Sequence, residues 1–215
     1  FIRAELLAFS AYDIIRSIPN VIDGLKVSHR KIIHIARNTG EIKVAQLAAT
    51  VALKTMYLHG EGSLAECTTG LAQDFIGSNN NPLLKGIGQF GSRLMGGKDA
   101  ASPRYIHVLP SNFLKQTLLK VDDELLHFLT EENVQIEPSF FVPLVPYVLI
   151  NGTRGIATGF STYVPNHRLA DVVQAIRQIL NSEEPSPLLP HWNNFNGTLE
   201  HGDDRCTMIG KAQVR

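Results

Sequence analysis

A chain of 215 residues, 44% hydrophobic and 19% charged, has the composition of a folded soluble protein with one large domain or two small ones. Its formal net charge is zero, so no global basic field announces nucleic acid, and no apolar run approaches the roughly 20 residues needed to span a bilayer. Cys67 and Cys206 stand far apart without metal-ligand spacing, which reads as ordinary thiols in a reducing compartment.

Helical periodicity opens the chain. Leu6, Leu7, Ala11, Ile14, Ile15 and Ile18 predict a helix over 5–18, and Pro19 stops it. Ser28 is placed to cap a second helix whose inner side carries Ile32, Ile33, Ile35 and Ala36, ending at Asn38-Thr39-Gly40. A third helix is expected over 43–56 and a fourth over 62–75. The second and third, joined by a tight Gly turn, form a helix-turn-helix candidate. Residues 77–103, rich in Gly, Asn and Ser, read as a long functional loop or wing. A short strand (106–109), a short helix (122–130) and a strand (147–150) follow, then the tight Gly155–Gly159 segment and a clear helix over 169–180. Residues 181–190 read as a linker and 197–215 as the start of a strand-rich element. The composition shift near Tyr147 divides the chain into 1–146 and 147–215.

Charge is local where it is not global. Up to Lys54, Arg3, Arg16, Lys26, Arg30, Lys31, Arg37, Lys43 and Lys54 face only Glu5, Asp13, Asp23 and Glu41. From Lys85 to Lys120, Lys85, Arg93, Lys98, Arg104, Lys115 and Lys120 face Asp99 alone. The balancing acid lies in Asp122, Asp123, Glu124, Glu131, Glu132 and Glu137. Such a split fits a nucleic-acid-facing side with a remote acidic back, and equally a salt-bridged surface.

The densest chemistry is Gly97-Lys98-Asp99-Ala100-Ala101-Ser102-Pro103-Arg104-Tyr105-Ile106. A phenol is a poor nucleophile at neutral pH, because its ordinary pKa is about 10. A neighbouring guanidinium favours the phenolate and also binds phosphate. Arg104-Tyr105 after a basic Gly-rich loop is thus suited to attack a DNA phosphodiester.

The blocks Asn20–Lys31, Lys43–Ala48, His59–Ala65, Gly88–Arg93, Gly96–Ala101 and Arg104-Tyr105, followed by Leu149–Gly152 and Gly155–Ser161, line up in order. In that order the chain resembles the breakage–reunion core of type IIA DNA topoisomerases, in particular the eukaryotic form and that of large DNA viruses, over roughly residues 5–180. The resemblance implies an α+β fold: a helical winged-helix domain over 1–146 and part of a mixed tower domain over 147–215. It implies that Tyr105 forms a 5′-phosphotyrosyl link, that Arg104 stabilises charge on the scissile phosphate, and that Lys26 and Arg30 grip backbone phosphate. His59 matches the second position of a family His-His-Gly-Glu pattern whose first position is Leu58 here. It is the candidate to relay a proton or bind phosphate. Asn79, and more weakly Gln73, Arg93 and Lys98, match DNA-contacting positions. Ile156 matches an apolar wedge that bends the duplex by opening a base step.

The resemblance further implies a parent enzyme that passes one duplex through a transient double-strand break. That parent would act as a homodimer with Mg²⁺ and ATP, both bound outside this chain. Neither Asp122-Asp123 nor Asp203-Asp204 has the context of the family's metal-binding module, and no phosphate-binding ATPase loop is present. The chain reads as an excerpt of a longer polypeptide, inactive alone and not associated with membrane. It is expected in the nucleus if cellular, or in the host cytoplasm or nucleus if viral. A non-catalytic DNA-binding scaffold of the same fold is the alternative; a helix-turn-helix regulator would leave the tyrosine unexplained.

Overall fold

The computed structural model describes residues 2–201 and 205–211. A π-helical turn (Ile2–Leu6) runs into helix α1 (Leu7–Ser17), which ends where Ile18 turns extended ahead of Pro19. Helix α2 (Val27–Ala36) buries Ile32, Ile33, Ile35 and Ala36 as its periodicity predicts. Its N-cap is Lys26, not Ser28; the Ser28 hydroxyl instead lies 3.7 Å from Cys67 Sγ. Strand β1 (Ile42–Lys43), helix α3 (Val44–Lys54), helix α4 (Glu61–Ala72), strand β2 (Leu84–Ile87) and strand β3 (His107–Pro110) follow. The three strands make an antiparallel sheet in the order β1-β3-β2. Helix, strand, two helices and two strands in this order make a winged helix, with the β2–β3 connection as its wing. Two expectations change here. β1 separates α2 from α3, so the contiguous two-helix unit is α3–α4. The long loop also contains β2. Both short strands are specified by pairing with β3, a partner remote in sequence.

Two further elements differ from expectation. Lys120–Leu125 is a 3-10 turn, and Phe128–Glu131 forms strand β4 rather than the end of a helix. β4 pairs with β5 (Val134–Pro138) across Glu132-Asn133, both at positive φ (49° and 64°), as a tight hairpin requires. Tyr147–Ile150, expected as a strand, is the helical turn α6. Pro146 is the extended residue before the turn, its carbonyl accepting from the Leu149 (3.0 Å) and Ile150 (3.3 Å) amides, and Tyr147 and Ile150, three apart, both point inward. Strands β6 (Thr153–Ala157) and β7 (Phe160–Val164) form a hairpin closed by Thr158-Gly159, with Gly159 at φ +78°. Helix α7 (Leu169–Leu180) has its expected bounds, and strands β8 (Thr198–His201) and β9 (Cys206–Ile209) begin the strand-rich end. Asp203-Asp204 and the rest of that end, 212–215, lie outside the described residues.

One apolar cluster unites α2, α3, α4, the three-stranded sheet and α5 (Asn112–Thr117), with Ile32, Leu47, Leu64, Leu84, Ile106 and Phe141 fully enclosed. Two buried ion pairs lock α2 into it. Arg30 Nε meets Asp23 at 2.8 Å, and Lys31 Nζ meets Glu137 at 2.9 Å while also donating to the Thr55 carbonyl. The acidic half therefore does more than balance charge at a distance, because Glu137 reaches back into the basic one.

Candidate nucleic-acid interface

The turn directly ahead of β3 delivers the tyrosine. Ile106 is sealed in the core and Val108 beside it in β3 is buried, whereas Tyr105 is 73% exposed. The turn that carries it is fixed by backbone. The Tyr105 N–H donates to the Ser102 carbonyl at 2.9 Å. The Pro103 and Ile106 carbonyls accept, each at 3.0 Å, from the Ala45 and Val44 amides in the first turn of α3. Those amides have no partner inside their own helix, so α3 and the tyrosine turn satisfy one another. The Arg104 guanidinium lies 5.8 Å from the centre of the Tyr105 ring.

The wing behind this turn is closed rather than loose. Gly97 N–H donates to the Ser92 carbonyl, and the Asp99 carboxylate accepts from the Ser92 amide (2.8 Å) and hydroxyl (2.7 Å). These bonds hold the Asp99 carboxyl below its ordinary range. Gly91 sits at φ +96° with no room for a side chain: a Cβ would stand 2.6 Å from Gly97 Cα. Gln73, from the end of α4, donates to the Phe90 (2.9 Å) and Gly97 (3.3 Å) carbonyls and so clips the wing to that helix. Arg93 and Lys98 project from the closed loop, exposed and without a salt bridge among the described residues.

The other candidates fall in separate groups. Lys26 and His59 line one cavity of about 490 Å³, together with Tyr12, Arg16, Ser28 and Cys67. His59 Nε2 is 2.8 Å from the Tyr12 hydroxyl, and Tyr57 meets the imidazole edge-on at 5.3 Å. Burial and the nearby Lys26 and Arg30 cations push His29 down to about 4. Arg30 is only 5% exposed; Nε and Nη2 are committed to Asp23 and the Leu25 carbonyl, leaving Nη1 as its one nitrogen without a partner among the described residues. Asn79 donates to the Gly70 (2.8 Å) and Gln73 (2.9 Å) carbonyls, capping α4. Gln73 and Asn79 line a cleft with Arg154 and Tyr163, which face one another across β6 and β7. Ile156, next on β6 toward the hairpin tip, is 64% exposed. No hydrogen bond among the described residues joins Tyr105 or Arg104 to His59, Lys26, Arg30, Asn79 or Ile156.

Sequence reasoning overlooked several contributors. Asp23 is the counter-ion that aims Arg30. Asn80 and Asn81 join the tyrosine-bearing half to the rest. Asn80 donates to the His167 and His191 carbonyls, and Asn81 and Asn151 exchange side-chain and backbone bonds at 2.8 Å. The Asn-rich composition was visible; its long-range partners were not. Arg154 was missed because one cation on a strand carries no pattern.

Comparison with known proteins bears on the same surface. The family model for the A-type subunit of DNA gyrase/topoisomerase IV matches residues 16–215. DNA topoisomerase 2-alpha of Cricetulus griseus is 48% identical over 203 residues, covering 93% of this chain, and the human protein of the same name is 47% identical. DNA topoisomerase 2-beta of Gallus gallus is 46% identical and covers all of it. The chain spans only 13% of the length of these relatives. A crystal structure of the DNA-binding, cleavage and re-ligation domain of Plasmodium falciparum topoisomerase II superposes with a TM-score of 0.94 at 38% identity, covering 100% of this chain and 30% of that one.

Proposed function

The chain belongs to the family of DNA gyrase/topoisomerase IV A-type subunits, and on that premise we propose that it is the tyrosine-bearing, DNA-bending part of a type II DNA topoisomerase. The parent enzyme passes one duplex through a transient double-strand break in another. The observation that carries this reading is Tyr105 itself: exposed, with Arg104 beside its ring, in a turn whose Pro103 and Ile106 carbonyls bond the first turn of α3.

In this reading the Tyr105 oxygen, on losing its proton, attacks the scissile phosphorus. The bond from phosphorus to the 3′ oxygen breaks, a proton passes to that oxygen, and a 5′-phosphotyrosyl ester remains. The ester conserves the phosphodiester energy, so the 3′ hydroxyl can reverse the step without a new energy source. Arg104 offsets the charge that builds on the phosphate. Lys26, His59 and Arg30 Nη1 take backbone phosphate from the side of α2, and Arg93 and Lys98 from the wing. Gln73 and Asn79 shape the loops that present these groups. Ile156 opens a base step, and the bend brings Arg154 toward the backbone.

The working unit is a homodimer on double-stranded DNA, with 1–146 as the winged-helix domain and 147–215 as the beginning of the tower. Mg²⁺ and ATP would be held by other parts of the parent. Among the described residues no group of three or more His, Cys, Asp or Glu side chains converges as a metal site; Mg²⁺ held elsewhere in the parent would help stabilise the charge that the Tyr105 step develops on the phosphate. Such a protein acts where its duplex lies, in the nucleus if cellular, or in the host cytoplasm or nucleus if viral. The test is decatenation of interlocked closed circles by the full-length parent with Mg²⁺ and ATP. Release of intact circles is expected; failure to unlink them, with DNA binding intact, would refute duplex passage.

A further inference from the structure

Helix α1 buries none of its residues, yet it makes a specific attachment to the hairpin that carries Ile156. Asp13 Oδ2 accepts two hydrogen bonds from Thr158, one from its amide and one from its hydroxyl, both at 2.9 Å. Asp13 Oδ1 accepts from Ser17 at 3.1 Å and faces Arg16 at 3.6 Å, so the carboxylate is held from its own helix too. Thr158 occupies the turn between β6 and β7, directly beyond the closing pair Ala157↔Phe160. The opposite end of the same stretch is also fixed. At Gly155 a Cβ would lie 2.7 Å from Pro19 Cδ and 2.8 Å from the Ser17 carbonyl oxygen. The hairpin is therefore pressed against the end of α1 at Gly155 and tied to its middle at Thr158. Ile156 lies between the two points, on an otherwise exposed two-stranded ribbon.

A wedge works only if it does not yield. Opening a base step costs a few kcal/mol, and a ribbon free to swing would relax away before the duplex bent. A two-stranded hairpin has little stability of its own to resist that load. We propose that Asp13 is a positioning residue for DNA bending: its double bond to Thr158 braces the hairpin so that Ile156 deforms the duplex. This inference rests on the reading of Ile156 as the wedge. Charge-assisted bonds to a carboxylate suit the task, being about twice as strong as neutral ones. The brace acts on the bent complex more than on the encounter with DNA, because Asp13 presents no positive charge to phosphate.

The experiment uses the full-length protein and a duplex labelled with a donor and an acceptor dye at its ends. Asp13→Ala is expected to lower the ratio of bent to unbent complexes about fivefold, the combined net worth of its two solvent-exposed bonds to Thr158 at the low end of the usual range for each, while Kd changes less than about twofold on a duplex whose bent and unbent complexes are comparably populated. Thr158→Ala, at an exposed turn, removes the hydroxyl donor alone and is expected to fall between Asp13→Ala and the parent. Adding Asp13→Ala to Ile156→Ala should produce no further loss of bending. Unchanged bending in both Asp13→Ala and Thr158→Ala, with loss in Ile156→Ala, overturns the brace and leaves the wedge standing. Unchanged bending in Ile156→Ala overturns the wedge and the brace with it. Bending and affinity falling in parallel in Asp13→Ala would mark a general structural role and also overturn the proposal.

Discussion

Asp23 is fully buried, and its carboxylate is the only counter-charge to Arg30 among the described ion pairs. It accepts from Arg30 Nε at 2.8 Å and Nη2 at 3.2 Å, from the Leu25 amide at 2.9 Å, and from the Phe141 amide at 3.0 Å. Asp23→Asn keeps the volume and removes the charge, and it turns an amide N–H₂ toward groups that are all donors. Breaking a buried pair by altering one partner costs about 3–5 kcal/mol, because the other charge stays behind unpaired. Set against a typical domain stability of about 5–15 kcal/mol, this is a large fraction. Adding Arg30→Met removes the stranded cation, so the double variant should be more stable than Asp23→Asn alone. Urea unfolding followed by far-UV circular dichroism measures all three. A cost below about 1 kcal/mol for Asp23→Asn, or additive costs in the double variant, would refute the claim that Asp23 exists to hold a buried Arg30.

Other expectations follow from the wing and the histidines. Gly91→Ala forces a side chain onto φ +96° and into Gly97. Cleavage should fall by roughly tenfold or more through misplacement of the wing; unaffected cleavage would mean that the closed wing is not needed. Burial, reinforced by Lys26 and Arg30, pushes His29 from 6.5 to about 4, and burial likewise lowers His34. The unfolded chain then takes up these protons first. Their contribution is complete above the unfolded value of 6.5 and is lost as pH falls toward about 4. The slope is at most about 1.4 kcal/mol per pH unit for each proton. His29→Gln should flatten that acid limb in urea melts at successive pH values, and an unchanged slope would contradict the lowered His29 imidazole.

The sequence disclosed the fold unevenly, for physical reasons. α2, α3, α4 and α7 were legible because each carries an apolar stripe at helical spacing. β1 and β2 were not, since strands of two and four residues exist only through pairing with β3. The segments 122–130 and 147–150 misled because short apolar runs suit either state until Pro146 or a hairpin partner decides. At the site, Tyr105, Arg104 and Ile156 were findable as motif residues; Ile156 is exposed by the alternation of β6, Arg104 and Tyr105 by the turn ahead of β3. Gln73 and Asn79 show what motif reading leaves out: their amide groups are spent on the carbonyls of Phe90, Gly97, Gly70 and Gln73, so they build the surface as much as face it. Asp13, Tyr12 and Asp23 gave no local signal, because each acts on a residue more distant in the chain or buried from view.

The central claim is that Tyr105 makes and breaks the DNA strand. Its most direct measurement is capture of the covalent intermediate. The full-length protein is incubated with supercoiled DNA and Mg²⁺ and stopped with denaturant, and the nucleotide-bearing peptide is identified by mass spectrometry. A phosphotyrosyl adduct on Tyr105 is expected, absent in Tyr105→Phe while non-covalent DNA binding persists. An adduct on any other residue, or one that survives Tyr105→Phe, would contradict the account.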